Sequence, residues 1–120
     1  MMIYTISDEK LIVEVSSLGA ELHSIRSLDG HEYLWHGDPD IWSGRAPNLF
    51  PFVARLHDGV YSLDGNQYEM KIHGFVKSME LNCIEHQDNL LVLELLANAE
   101  TLAQYPRMFR FVVKYELKEN

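Results

Sequence analysis

The sequence predicts an all-β fold, an antiparallel β-sandwich in preference to a closed barrel, and three observations carry that prediction. Apolar residues recur with period two in one run after another. Asp-Gly and similar turn pairs separate those runs. Outside residues 89–106, no helical periodicity is sustained over ten residues or more.

From the N-terminus, Leu11, Val13 and Val15 alternate with Ile12, Glu14 and Ser16, and Leu18, Ala20 and Leu22 alternate with Gly19, Glu21 and His23. Both stretches read as half-buried strands. "SLDGHEY" (residues 27–33) is a turn, and a long loop-rich segment follows over residues 31–61. "HDG" at 57–59 is a second turn, after which "YSLDGNQYEM" reads as a hairpin with strands near 59–64 and 67–71. "LNCIEH" places Cys83 inside a strand, and "HQDN" (86–89) turns the chain again. Leu90 to Leu96 suits a buried strand, and "NAETLAQY" suits a short helix or loop that Pro106 stops.

"MFRFVVKYELK" is the clearest strand: Phe109, Phe111, Val113, Tyr115 and Leu117 share one face, while Arg110, Lys114, Glu116 and Lys118 supply the other. It stands almost at the end of the sequence, which leaves it without an obvious next neighbour. Either the polar Lys118, Glu119 and Asn120 blunt that edge, or further sheet belongs beside it.

A chain of 120 residues, 47% hydrophobic, is expected to fold around one core and to bury roughly two-thirds of its unfolded surface. A formal charge of -8 argues against nucleic acid or an anionic membrane as partner, since both select clustered Lys and Arg. The apolar runs are too short to span a bilayer. The single cysteine, Cys83, cannot close an intramolecular disulfide, and no signal-peptide pattern opens the chain, so a cytoplasmic location is expected.

Residues 31–61 gather Trp35, Trp42, Arg45, Asn48, Phe50, Arg55 and His57, too aromatic for disorder. Tryptophan faces beside a few Arg and Asn donors suit a sugar, whose C–H patches stack on rings while its hydroxyls need directional partners. Core packing is the competing account of Trp35, Phe50 and Phe52, and a solvated cation that of Arg45 and Arg55. Arg55 gains interest because it interrupts the apolar run "LFPFVARL". None of the six histidines stands in HxH, HExxH or a Cys/His cluster, so no metal site is expected. The sequence also lacks a GxSxG elbow and a glycine-rich phosphate cradle. In "EMKIHGFVKS" (69–78), His73 suits either a structural hydrogen bond or a substrate contact. Gly74 beside it suggests a kink or bulge that re-aims the ring and lets a ligand approach the backbone. Lys77 falls on the face of Phe75 if that stretch is extended.

With those residues in view, the chain resembles the aldose 1-epimerase (galactose mutarotase) family, in its LacX-like branch. The resemblance rests on the ordered set W-x-G-R-x-P-x-L-F-P, R-L-x-D-G, L-D-G, H-G-F and Y-P-x-x-F-x-F, and runs from "SSLGAELHSIRS" onward. It implies a galactose mutarotase-like supersandwich of which residues 1–120 are the N-terminal part. It further implies an isomerase that interconverts the α and β anomers of an aldose without a cofactor. An acid protonates the ring oxygen, a base removes the C1 hydroxyl proton, the ring opens to the aldehyde, and it recloses on the other face. By resemblance His73 is the first of two active-site histidines, Arg55 binds the sugar, and Arg45 and Trp42 line the same cleft. Related hexose-6-phosphate mutarotases place an arginine after H-G-F. Here that position is Lys77, a point charge without a bidentate fork, which weakens the case for a phosphorylated substrate. The family's second histidine and its glutamate base lie C-terminal to the matched region, so little activity is expected from this chain alone. A non-catalytic carbohydrate-binding module, or a structural domain that self-associates through exposed strand edges, are the competing readings.

Overall fold

The computed structural model describes residues 1–118. Among the described residues, eight strands form two three-stranded antiparallel sheets and a hairpin. The first sheet holds β1 (Ile3–Ser7), β2 (Leu11–Ser16) and β3 (Leu22–Ser27) in that order. The hairpin pairs β4 (Val60–Leu63) with β5 (Asn66–Glu69). The second sheet holds β6 (Asn82–Gln87), β7 (Leu90–Leu96) and β8 (Arg110–Glu116), with the short helix α1 (Ala99–Gln104) between its last two strands. An antiparallel all-β chain is thus what forms. No described helix is long and apolar enough to cross a membrane.

Local chemistry explains most element boundaries. Asp64 and Gly65, at φ 51° and 80°, make the two-residue turn whose twist suits a hairpin. Asn98 caps α1: its side chain accepts from the Thr101 amide while the Thr101 hydroxyl accepts from the Asn98 amide, a reciprocal box. Along β8 the residues alternate in exposure, with Phe111, Val113 and Tyr115 turned inward. The central strand β7 is covered on both faces, and Leu91 and Leu93 are fully buried. Each such side chain contributes about 1.5–3 kcal/mol through area removed from water. They join Ile6, Val13, Val15 and Val76 in the core shared by the two sheets.

Two expectations fail here. Residues 18–23 are not one strand: Gly19 and Ala20 turn with φ of 69° and 51°, and β3 begins only at Leu22. A Cβ on Gly19 would approach the Lys77 backbone to 2.9 Å, so that turn is pressed against a distant segment. Period two was present in the letters, but packing set the backbone. Residues 75–78 are not extended either; Val76–Ser78 form a 3-10 turn, so Lys77 does not share a strand face with Phe75. The strand β1, in turn, carries no alternation sharp enough to have been anticipated.

Between β3 and β4 the chain runs through residues 28–56 without a regular element. Polar ties from side chain to backbone hold it. The Glu32 carboxylate accepts from the Ile25 and Leu34 amides and from the Ser24 hydroxyl, the Glu21 carboxylate accepts from the Arg45 and Ala46 amides, and Asn48 donates to the carbonyls of Gly19 and Ala20. Phe50 anchors the far end, with its ring 5.1 Å from Phe109 and Phe111 and near 6 Å from Phe75 and Tyr105. The molecule measures 55 × 34 × 25 Å with a radius of gyration of 16.4 Å. A compact domain of this length would have a radius of about 13.6 Å, so the molecule is elongated.

Candidate functional site

The site is built where the Phe50 anchor meets the segment after β5. The Phe50–Pro51 peptide is cis, and the Phe50 carbonyl accepts from the amides of Phe75 (2.9 Å) and Val76 (3.3 Å). This brings the backbone of Gly74 against Phe50. A Cβ on Gly74 would overlap the Phe50 carbonyl and come within 2.8 Å of the Pro51 nitrogen, and its φ is +77°, so glycine is required on two counts. The expected kink at Gly74 is present, and the space a Cβ would take there is filled by the backbone of Phe50 and Pro51.

His73 precedes that contact at φ 65°, a conformation uncommon for a residue with a side chain. A second such residue, Ala54 at φ 69°, faces it. The two are joined twice: the His73 amide donates to the Ala54 carbonyl (3.0 Å), and the Ala54 amide donates to His73 Nδ1 (2.9 Å). The imidazole is half-buried. Its Nε2 takes no partner among the described residues, and none of their buried side-chain nitrogens lacks one, so Nε2 reaches solvent.

Arg55 follows Ala54 directly, is exposed, and lines an open depression of about 810 Å³ with Asp58, Glu69, Lys71, Ile72 and Gln104. The depression is closed behind by the hairpin and α1, which Tyr61 ties together by donating its hydroxyl to the Gln104 carbonyl. Burial, assisted by the neighbouring Tyr68 and Tyr105, pushes that hydroxyl's pKa up, so it stays a donor. Sequence reasoning did not single out Asp58, Glu69, Lys71 or Gln104. Their signal was slight, because exposed polar residues at hairpin ends and helix ends are ordinary.

The other expected site residues stand apart from this depression. Arg45 donates through its guanidinium to the His23 carbonyl, which fastens the loop to β3. Trp42 is 51% exposed, lies over Gly44, and accepts at its carbonyl from Trp35 Nε1 (2.8 Å). Lys77 is half-buried on its 3-10 turn. Among the described residues, no three His, Cys, Asp or Glu side chains are grouped to hold a metal ion.

Strands in antiparallel sheets, little helix and a loop-borne polar site define a β-sandwich of the galactose mutarotase-like class, and the solved structures bear this out. The chain superposes on a galactose mutarotase related enzyme from Lactobacillus acidophilus with a TM-score of 0.96 at 36% identity, covering 98% of this chain and 39% of that one. A galactose mutarotase-like protein from Lactobacillus casei gives 0.94 at 31% identity over 98% of this chain and 40% of the other. The sequence profile described as Aldose 1-epimerase matches residues 2–120, and the chain belongs to that family. Protein LacX (chromosomal) of Lactococcus lactis subsp. lactis is 35% identical over 97% of this chain. The chain spans about 40% of the length of that relative.

Proposed function

We propose that these residues carry the sugar-binding part of an aldose 1-epimerase-like isomerase, with His73 and Arg55 as the contacts to a hexose. The observation that carries this reading is the double joint between Ala54 and His73. It fixes an imidazole with one nitrogen open to solvent, and the residue after Ala54 puts a guanidinium on the rim of the adjacent depression. A sugar offers hydroxyls that both donate and accept, and the rim supplies both kinds of partner: Arg55 and Lys71 as donors, Asp58 and Glu69 as acceptors. Two cations balanced by two carboxylates favour a neutral hexose over a sugar phosphate, which selects an excess of positive charge. Arg45, Trp42 and Lys77 lie outside the lining of the depression and contribute less to sugar binding in this reading. A cytoplasmic setting goes with this reading.

In the family reaction an acid and a base act on opposite sides of the ring C1–O bond. The family's second histidine and glutamate are the groups assigned those roles, and neither has a counterpart in this sequence. The chain by itself is therefore expected to bind an aldose and to turn it over slowly or not at all. Titration with D-galactose and D-glucose, followed by NMR, should shift the resonances of His73 and Arg55 without broadening the two anomers into exchange. An absence of binding by either sugar at high millimolar concentration would overturn the sugar reading. Polarimetry of freshly dissolved α-D-galactose tests the second part: acceleration that His73→Ala abolishes would show the chain to be catalytic by itself.

A further inference from the structure

The hydrogen bond from Ala54 to His73 settles where the imidazole proton sits. A backbone amide can only donate, so Nδ1, at 2.9 Å, must present a lone pair to it. In a neutral imidazole the proton then belongs to Nε2. Turning the ring over would set a carbon against the Ala54 amide and leave that donor without its acceptor. The backbone adds a second restraint, because the His73 amide donates to the Ala54 carbonyl, the Gly74 amide to Lys71 (3.0 Å) and the Phe75 amide to Phe50. The ring is thus aimed by three consecutive backbone positions and read by one amide.

We propose that the Ala54 amide holds His73 as its Nε2–H tautomer, and that His73 therefore meets a sugar as a hydrogen-bond donor to a hydroxyl or ring oxygen and not as a base that removes a proton. Ala54 is the positioning residue, and it acts through its main chain. The donor role rests on the sugar-binding reading; the tautomer rests on the backbone geometry alone. One consequence is a division of labour: Arg55 is a donor in the lining of the depression, His73 is a donor one residue beyond the lining residue Ile72, and the carboxylates of Asp58 and Glu69 are the available acceptors.

Long-range ¹H–¹⁵N NMR of the labelled full chain at about pH 8, where a free imidazole is neutral, reads the tautomer directly. The expected spectrum shows a pyridine-type Nδ1 and a pyrrole-type Nε2 for His73, with slow hydrogen exchange at the Ala54 amide. A pyrrole-type Nδ1, or the averaged shifts of a ring that samples both forms, would overturn the proposal. Two substitutions then separate the ends of the ring. Glutamine reaches as far as Nε2, so His73→Gln should keep D-galactose affinity within roughly tenfold while the Ala54 amide loses protection. Asparagine reaches only as far as Nδ1, so His73→Asn should keep Ala54 protected and weaken the sugar by more than roughly tenfold. The reverse ranking would sink the donor role. A wild-type chain that shows the Nε2–H form yet binds neither hexose would refute the sugar reading and the donor role together, while the lock itself would stand.

Discussion

The sheet β6–β7–β8 and the loop segment 28–56 lie in one small molecule and are held by different physics. In the sheet, apolar residues one strand wide are removed from water on a repeating pattern, and the backbone satisfies itself through the ladders from Asn82 to Glu116. In the loop the backbone has no ladder. Its amides are met one at a time by Glu21 and Glu32, and Asn48 reaches across to carbonyls of a turn 28 and 29 residues earlier. The lesson is that the sheet's stability is spread over many interchangeable contacts, whereas the loop's shape hangs on a few that are not interchangeable. The candidate site's depression takes Arg55 from the loop and its other lining from Asp58, the end of β5 and α1.

Substitutions can test that contrast. The largest loss is expected at Leu93, fully exposed to other side chains and not to water; Leu93→Ala should cost about 3–4 kcal/mol in urea unfolding, with the whole transition moving. A loss below about 1 kcal/mol would mean that the sheet repacks freely and the contrast is false. Gly74→Ala should cost about 2–3 kcal/mol, but its distinctive mark is local: the Phe75 and Val76 amides lose exchange protection and the His73 tautomer becomes mixed. Uniform destabilisation with the loop still locked would contradict the single-contact account. Asn48→Ala should cost about 1–2 kcal/mol, because its amide meets the Gly19 and Ala20 carbonyls, the latter shared with the Tyr115 hydroxyl at 2.7 Å. Burial pushes the Tyr115 pKa up, although the bond from Asn48 opposes this, so the phenol remains protonated and able to donate.

Acid should reach the loop through Glu32. Burial raises its pKa, but the bonds from Ser24, Ile25 and Leu34, with Arg26 nearby, outweigh that and leave it below the ordinary 4.5. The folded carboxyl binds its proton less readily than the unfolded one. Its stabilisation is therefore complete above pH 4.5 and fades as pH falls through the lowered folded value. Glu32→Gln should flatten that acid limb, seen as a smaller change in urea midpoint between neutral and acid pH; an unchanged slope would remove Glu32 from the account. The smallest effect is expected at Ala54, where Ala54→Gly relieves a left-handed φ of 69° at the cost of a more flexible unfolded chain, for a net change of about 0–1 kcal/mol. The Ala54 amide remains, so the His73 tautomer should not move.

Much of the first region was legible. The alternation through Phe111, Val113 and Tyr115, the run from Leu90 to Leu96 and the turn at Asp64-Gly65 all became the elements they announce, since each states its preference within a few residues. Before Pro106 the sequence left a short helix or a loop open, and the helix Ala99–Gln104 is what forms. At Leu18 to Leu22 the same pattern misled, because a turn pressed against Lys77 outweighed a local strand preference. In the site, the residue types His73, Gly74 and Arg55 stood out in the sequence, while Lys71, Glu69, Asp58 and Gln104 did not.

By itself the sequence determined the class of fold and most places where the chain turns, and it singled out "IHGF" as a candidate site, because period and turn chemistry are properties of adjacent residues. Tertiary structure alone decided that His73 and Ala54 share the left-handed region, that Gly74 yields its space to Phe50, and that Lys77 leaves the strand. Those outcomes depend on contacts between residues about 20 to 60 positions apart, and no short window of sequence contains both partners.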